Sequence, residues 1–518
     1  YYLDKLLDKI FKIILKPMKL SLVNFLHPQQ WQIVQKAAMI AGQCNLRLFA
    51  VGGIVRDALL ADQTFINICP PDIYHFHGSN FISDSINNFG RIDTELMNQT
   101  QINDIDLVVD GAPKAGIILA TALHKYYSQA RLQVHDKFQT AELYFASHIS
   151  NLNPINSDQI DWAFTIDLAT AREEIYAYQG ANPEVKNTTI DRDLLRRDFT
   201  INALAIEILP SGIATEIIDQ FNGLADLKQG LLRPIRTGSF AEDPRRIYRA
   251  VRFAVRLNLN LSPAMVDEIK NTVSTGQFDN LGGSRLRAEI IYNLQEKPIT
   301  KSWRIWQKLA DLGALRCIHP ELKLVPDFAK HLRRLAWITK QVNQLDNSQK
   351  LVKTGNTNFA ELGLGLLCSY LSVDAFSQLN LALTAEQEKI NLLSGKYQKI
   401  QANLSAYLLA NQLTELTEIK PSFLCEQFSQ CHEWELMLLF CQATKPMRKL
   451  IWCYINQWQF VKSPLNGKDL QQLGFPSGKI LGKILAQLRN LYLDGVIDSP
   501  QSARAWIMQN QVLLQSQP

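Results

Sequence analysis

No Cys-x-x-Cys pair occurs among the eight cysteines (44, 69, 317, 368, 425, 431, 441 and 453), and none has the spacing of a metal site. In a chain of 518 residues this excludes a disulfide scaffold and fits scattered, reduced core thiols in a cytosolic compartment. No uninterrupted apolar run reaches the ~20 residues of a membrane helix. Leu6–Leu26 is apolar, but Lys9, Lys12, Lys16 and Lys19 break it, so residues 1–30 read as an amphipathic extension without stable membrane association. It does not read as a signal peptide, and the missing initiator Met reads as a trimmed or incomplete N-terminus. Net charge is small, at +5, and the overall balance announces no nucleic acid; its local distribution does. No internal repeat is present.

The length calls for roughly three domains. Residues 31–60 read as helix, short strand, Gly52-Gly53 turn and second helix. Residues 62–103 are polar and read as an insertion that must loop outward. Strands are predicted near 105–109, 131–145, 163–169 and 201–209, with 179–192 polar and irregular. From about 241 the apolar period is helical. The expected fold class is α+β: a head with a small mixed five-stranded sheet over 31–235, then helical segments at 236–343, 359–460 and 461–518.

Asp104-Ile105-Asp106, followed by Leu107, Val108 and Val109, carries the strongest chemical signal. Side chains alternate along a strand, so Asp104 and Asp106 project together while Ile105, Leu107 and Val109 enter a core. Two carboxylates roughly 6–7 Å apart on one strand face suit Mg²⁺, a hard cation that prefers oxygen. Such a cradle serves two-metal phosphoryl and nucleotidyl transfer. Asp167, in the apolar strand Phe164–Ala169, offers a third carboxylate, as ligand or as proton acceptor. Arg172 follows closely and can answer that charge or a triphosphate.

Gly52 and Gly53 join a strand to a helix, where bare backbone N–H groups approach a phosphate, and Arg56 sits one turn on. Arg197 and Asp198 pair a phosphate-binding donor with an acceptor for ribose hydroxyls, and Asn202 follows them. Between Arg233 and Arg256 lie seven arginines. Arg245, Arg249, Arg252 and Arg256 form one helical stripe, opposite Ile247, Ala250, Val251 and Ala254. Stacked guanidinium groups repel unless anions lie against them, and a merely solvated face would mix in lysine and glutamate. Asp243 and Arg246 lie off the stripe and can present an acceptor and donors to a base edge.

With these motifs in order, the chain resembles the class II tRNA nucleotidyltransferase and bacterial poly(A) polymerase family. The matching strings are GGIVRDALL (52–60), DIDLVV (104–109), IDLATAREE (166–174), DLLRRDFTINALAI (193–206), DQFNGLADLKQGLLRPI (219–235) and EDPRRIYRAVRF (242–253). GSRLRAEI (283–290) matches less closely, and NGKDLQQLGFPSGKILGKIL (466–485) with LDG (493–495) is similar to the tail of tRNA-specific members. The resemblance implies Mg²⁺ on Asp104 and Asp106, with Asp167 as third carboxylate. It implies nucleotide contacts from Gly52, Gly53, Arg56, Arg197, Asp198 and Asn202. Asp243 and Arg246 would read the base, with Arg249 and Arg252 on phosphate. The implied reaction is attack of an RNA 3′-hydroxyl on the α-phosphate of CTP or ATP, without a template, releasing pyrophosphate. The tRNA 3′ end is the expected partner, and 173–192 matches the segment linked to the switch from C to A addition.

The insertion at 62–103 departs from the family, which places a short stretch there. Its His75 and His77 read as surface histidines. Leu362–Leu371 lacks the His-Asp pair of relatives with a phosphohydrolase domain. Addition of CCA, CC or A stays open, as do poly(A) synthesis and, in another class, a non-catalytic RNA-binding protein with a degenerate head; intact Asp104 and Asp106 argue against the last.

Overall fold

The computed structural model describes residues 20, 22–62, 65, 102–147, 162–175, 184–276, 283–345, 358–372, 374–375 and 387–515. Nearly all of the 62–103 insertion, with His75 and His77, and most of the N-terminal extension lie outside them. The chain divides into two compact units, Tyr1–Leu281 and Gly282–Pro518.

In the first unit, Pro28 opens α1 (Pro28–Gln43), its fixed φ suited to a first helical turn, and the His27 side chain caps Gln29. Then come β1 (Arg47–Val51), α2 (Gly53–Ala61), β2 (Asp104–Asp110), α3 (Ala115–Tyr126), β3 (Arg131–His135), β4 (Thr140–Phe145), β5 (Phe164–Thr170), β6 (Arg172–Ile175), β7 (Glu184–Asn187), α4 (Ile190–Leu195), β8 (Ala205–Ile208), β9 (Ala214–Ile218), α5 (Gly223–Gln229) and α6 (Arg245–Arg256). Seven strands form one sheet in the order β3-β4-β5-β2-β1-β8-β9, and β6 pairs with β7 in a separate hairpin. Only β2 and β5 run parallel; every other neighbouring pair in the sheet is antiparallel.

The sheet is mixed, as expected, but larger than five strands. Of the segment 179–192, expected to be irregular, 179–183 lie outside the described residues and the remainder holds β7 and the start of α4. Residues 201–209 are a short 3-10 turn (Thr200–Asn202) followed by β8. Buried Gln30 of α1 donates to the Ile102 carbonyl at 2.7 Å and so fixes where the chain enters β2.

Alternation sorts the two faces. Ile105, Leu107 and Val109, with Ile166 and Leu168 of β5, are fully buried under α1 and α3. The opposite face is only partly covered. Phe49, Val51, Val108, Ala203 and Ala205 form a core there with Ile190 and Leu194 of α4, and Asp110 accepts from the Ile190 N–H at 3.2 Å. The same face, two and four residues back along β2 from Val108, carries Asp106 and Asp104 beyond that cover.

The second unit is helical among its described residues. It includes α7 (Phe328–Gln344), α8 (Phe359–Cys368), α9 (Glu433–Gln442) and α10 (Lys445–Asn456), which pack together. A separate cluster around Leu465, Leu470, Phe475, Leu488, Ile497 and Ile507 forms a core near the C-terminus. Of the seven described cysteines five are buried, as thiols used for packing would be.

Gly116 shows how tightly α3 meets the sheet. A Cβ there would lie 2.7 Å from the Leu168 carbonyl oxygen and the Thr170 nitrogen, both strand backbone with no freedom to yield. Gly116→Ala is expected to destabilise the fold by about 1–3 kcal/mol, read as a lower urea midpoint at unchanged slope; an unaltered midpoint would contradict this packing.

Candidate active site

In the β2–β5 pairing Asp106 stands opposite Asp167, with Asp104 opposite Thr165; in β5–β4, Asp167 stands opposite Glu142. A row of carboxylates, Asp106, Asp167 and Glu142, therefore crosses three strands on one face, with Asp104 beside its first member. Glu142 was not singled out from the sequence, although the burial of Ala141, Leu143 and Phe145 around it carries the alternation that puts it there.

Asp106 keeps substantial solvent access yet is crowded by neighbours, as at the floor of a concavity. Burial raises its carboxyl, Asp104 pushes it further the same way, and the nearby guanidinium groups of Arg197 and Arg56 pull it back. Asp167 is pushed up to about 7, first by burial and then by Asp106, Glu142 and Asp104. These groups repel one another in the absence of a counter-charge. Among the described residues no three His, Cys, Asp or Glu side chains close into a ready-made metal cage. Mg²⁺ does not need one: it is commonly held by one or two carboxylates, with water and substrate phosphates completing the octahedron. An open oxygen pair under mutual repulsion fits that ion.

β1 runs antiparallel to β2, pairing Ala50 with Leu107, so the Gly52-Gly53 turn at the end of β1 lies beside the start of β2. Gly52 has φ +68° and ψ −119°, and a Cβ there would come within 2.9 Å of Arg197 Nη1. Only glycine combines that backbone with that approach. Arg56 is 4% exposed. Its Nε and Nη2 fork onto Asp57 at 2.7 and 2.9 Å, and Nη1 donates to Asn202 Oδ1 at 2.5 Å. The guanidinium expected on phosphate is here the clamp between α2 and the Thr200–Asn202 turn.

The clamp continues. Asn202 Nδ2 donates to Asp198 Oδ1 at 3.1 Å, and the Asp198 carboxylate also accepts from the Phe199 N–H and from Arg249 Nε at 2.8 Å. Arg249 belongs to α6 (Arg245–Arg256), where Ile247, Ala250, Val251 and Ala254 are buried, as the wheel requires. Arg252 is buried too, so the stripe is only partly open to solvent. Arg56, Arg249 and Arg252 all stand near the half-buried Phe253 ring, at 5.2, 5.7 and 5.9 Å from its centroid.

Asp243 and Arg246 are joined through the backbone, the Arg246 N–H donating to the Asp243 carbonyl at 3.0 Å, but their side chains go elsewhere. Asp243 receives Arg245 through Nε at 2.7 Å and Nη2 at 2.6 Å. Arg246 is buried, its Nη2 donates to the Arg196 carbonyl at 3.5 Å, and its buried Nη1 has no partner. An unsatisfied buried guanidinium N–H is costly, and it leaves a donor for a ligand.

Arg172 does not answer Asp167. It lies 3.7 Å from Glu174 and donates to the Phe138 carbonyl. Asp193, also unnoticed in the sequence, is the hub that holds this corner. Fully buried, it accepts from Arg196 at 2.7 Å, Arg197 at 3.2 Å and the Arg172 N–H at 3.2 Å.

The chain is similar to known proteins. Residues 90–233 match the Poly A polymerase head domain. An A-adding tRNA nucleotidyltransferase of Geobacter sulfurreducens is 27% identical over 468 residues, 88% of this chain and 44% of that protein; the chain thus spans less than half of it. One from Halalkalibacterium halodurans is 25% identical over 475 residues, 91% of this chain and 90% of that protein. A solved Thermotoga maritima CCA-adding enzyme complexed with tRNA has TM-score 0.65 at 23% identity, covering 95% of this chain and 97% of its own. An apo CCA-adding enzyme gives TM-score 0.68 at 23% identity, covering 95% of this chain and all of its own. At such identities the structural likeness establishes the fold, a mixed-sheet head followed by helices.

Burial would raise Asp193 and Asp198, but Arg196 and Arg197 in one case, and Arg249 with Asn202 in the other, hold both carboxyls below the usual range. An unfolded carboxyl titrates near ~4. A lowered folded value means stability that is present above that pH and lost as pH falls through the folded value. The melting temperature should therefore drop between about pH 5 and pH 3, and more shallowly in Asp193→Asn; an identical slope in the variant would contradict the assignment.

Proposed function

We propose that this chain, whose residues 90–233 match the Poly A polymerase head domain, belongs to the tRNA nucleotidyltransferase and poly(A) polymerase family and is a Mg²⁺-dependent RNA nucleotidyltransferase. It adds C and/or A nucleotides from CTP or ATP to the 3′ end of tRNA, without a template, releasing pyrophosphate. The observation that carries this reading is the register of Asp104, Asp106 and Asp167 on one sheet face beside the Gly52-Gly53 turn.

Asp104 and Asp106 would hold the metal, which when bound would supply charge neutralisation and lower the proton affinity of the attacking hydroxyl. Asp167, raised toward neutrality by its neighbours, is placed to complete that set or to take the proton from the RNA 3′-hydroxyl. Gly52 donates its own N–H to the Leu204 carbonyl at 2.9 Å, so the Gly53 N–H is the one offered to phosphate, and Arg197 lies against the same turn, near enough to Asp106 to lower its carboxyl. Asp198, Asn202 and Arg249 are one hydrogen-bonded unit, suited to hold ribose and triphosphate together. The spare donor on Arg246 is placed to read a base edge once Asp243 is released from Arg245. Arg56 and Arg252 stiffen this wall, and a shift of Arg56 from Asp57 brings it to phosphate. We place the enzyme in the cytosol, with helices of the second unit, including 461–518, on tRNA.

The relatives that align over most of this chain are named as A-adding, which favours addition of the single terminal A as the narrower reading. Labelled ATP and CTP, offered with tRNAs lacking A, CA or CCA, test both levels. Extension of tRNA ending in CC by one A is expected; label in none of the substrates would end the enzymatic reading.

Asp106→Ala should reduce incorporation by at least about a thousandfold, the scale of losing a preorganised charge partner, at nearly unchanged tRNA affinity; lost binding instead would point to a folding role. Arg246→Ala should lower discrimination between nucleotides about tenfold, ~1.4 kcal/mol, more than it slows the best substrate. An unchanged preference would remove Arg246 from base reading.

A further inference from the structure

The helical unit carries a face of different chemistry. Trp337 on α7 is 45% exposed. Its indole lies flat on Phe440 of α9, centroids 5.5 Å and planes 13° apart, and Trp452 of α10 meets it edge-on at 5.3 Å. A ring backed by two aromatics and bare to solvent is held ready for stacking.

Basic residues flank it on both helices. Arg333, Trp337 and Lys340 recur at three- and four-residue spacing on α7, and Lys445, Lys449 and Trp452 do so on α10. The three lysines and Arg333 are exposed, and among the described residues none has an acid within ion-pair distance. Between the helices, Arg334 and Arg448 donate to the carbonyls of Cys441 and Ala443 at 2.7 and 2.8 Å, closing the end of α9. Burial, then the neighbouring Arg334, lowers the Arg448 guanidinium. Among the described residues neither has a carboxylate within ion-pair distance. The acids of α9, Glu433 and Glu435, stand in its first turn, at the end away from Phe440.

Such a surface repels itself unless a polyanion lies on it. We propose that the α7–α10 face is an RNA-docking surface, with Lys340, Lys445 and Lys449 on backbone phosphates and Trp337 stacked on an unpaired base. This rests on RNA being the substrate and names where the helical unit holds it. A protein partner or a second copy would have to bring its own acids.

The test uses the full chain and a fluorescently labelled tRNA transcript, with anisotropy read between 50 and 200 mM salt, about the range over which phosphate contacts reveal themselves. Trp337→Ala should weaken binding about tenfold with the salt slope unchanged. Lys445→Glu with Lys449→Glu should weaken it and reduce the slope of log K on log salt by about two. Both variants should keep the parent's melting temperature and sedimentation coefficient. Parent-like affinity and slope in both variants would overturn the proposal. So would altered sedimentation at unchanged tRNA affinity, which would make the face a protein contact. A parent that binds no tRNA would overturn this surface and the substrate assignment together.

Discussion

Carboxylates on three neighbouring strands share one face of a sheet, and their mutual repulsion is the constraint around which the head is arranged. Asp106, Asp167 and Glu142 face one another across the ladder, where burial and then the carboxylates on either side raise the cost of ionising Asp167. The sheet bears this because Ile105, Leu107 and Val109 on its other side are fully buried. One strand thus serves packing with its odd residues and chemistry with its even ones.

Opposite the acids stands a wall of guanidinium groups whose positions are fixed by buried acceptors. Asp57, Arg56, Asn202, Asp198 and Arg249 form an unbroken chain of hydrogen bonds joining α2, the Thr200 turn and α6. Asp193 performs the same service for Arg196 and Arg197. Buried charges of this kind persist only when paired and hydrogen-bonded, so the wall is rigid where it meets those acceptors. Among the described residues the exceptions in this wall include Arg197 Nε and Arg246 Nη1, both buried without a hydrogen-bond partner, and exceptions of that sort collect where ligands bind.

Much of this was legible in the residues. Period-two alternation placed Asp104 and Asp106 together and period 3.6 placed Ile247, Ala250, Val251 and Ala254 in a core, because both depend on a single element's geometry. What one element cannot disclose is its neighbour. The β5–β4 register made Glu142 a member of the acidic row, and tertiary packing buried Arg252 within a stripe expected to lie open to anions. Asp243 meets Arg245 rather than Arg246 because a Pro244 turn, not a helix, lies between them. The hairpin of β6 and β7 escaped because its strands are short and polar, without an apolar face to reveal alternation.

Divalent-ion binding addresses the arrangement most directly. Mn²⁺, observed by electron paramagnetic resonance in place of Mg²⁺ with a non-hydrolysable ATP analogue present, should bind the parent chain and fail to bind Asp104→Asn with Asp106→Asn at an equal melting temperature. Equal Mn²⁺ binding by the two proteins would contradict the account.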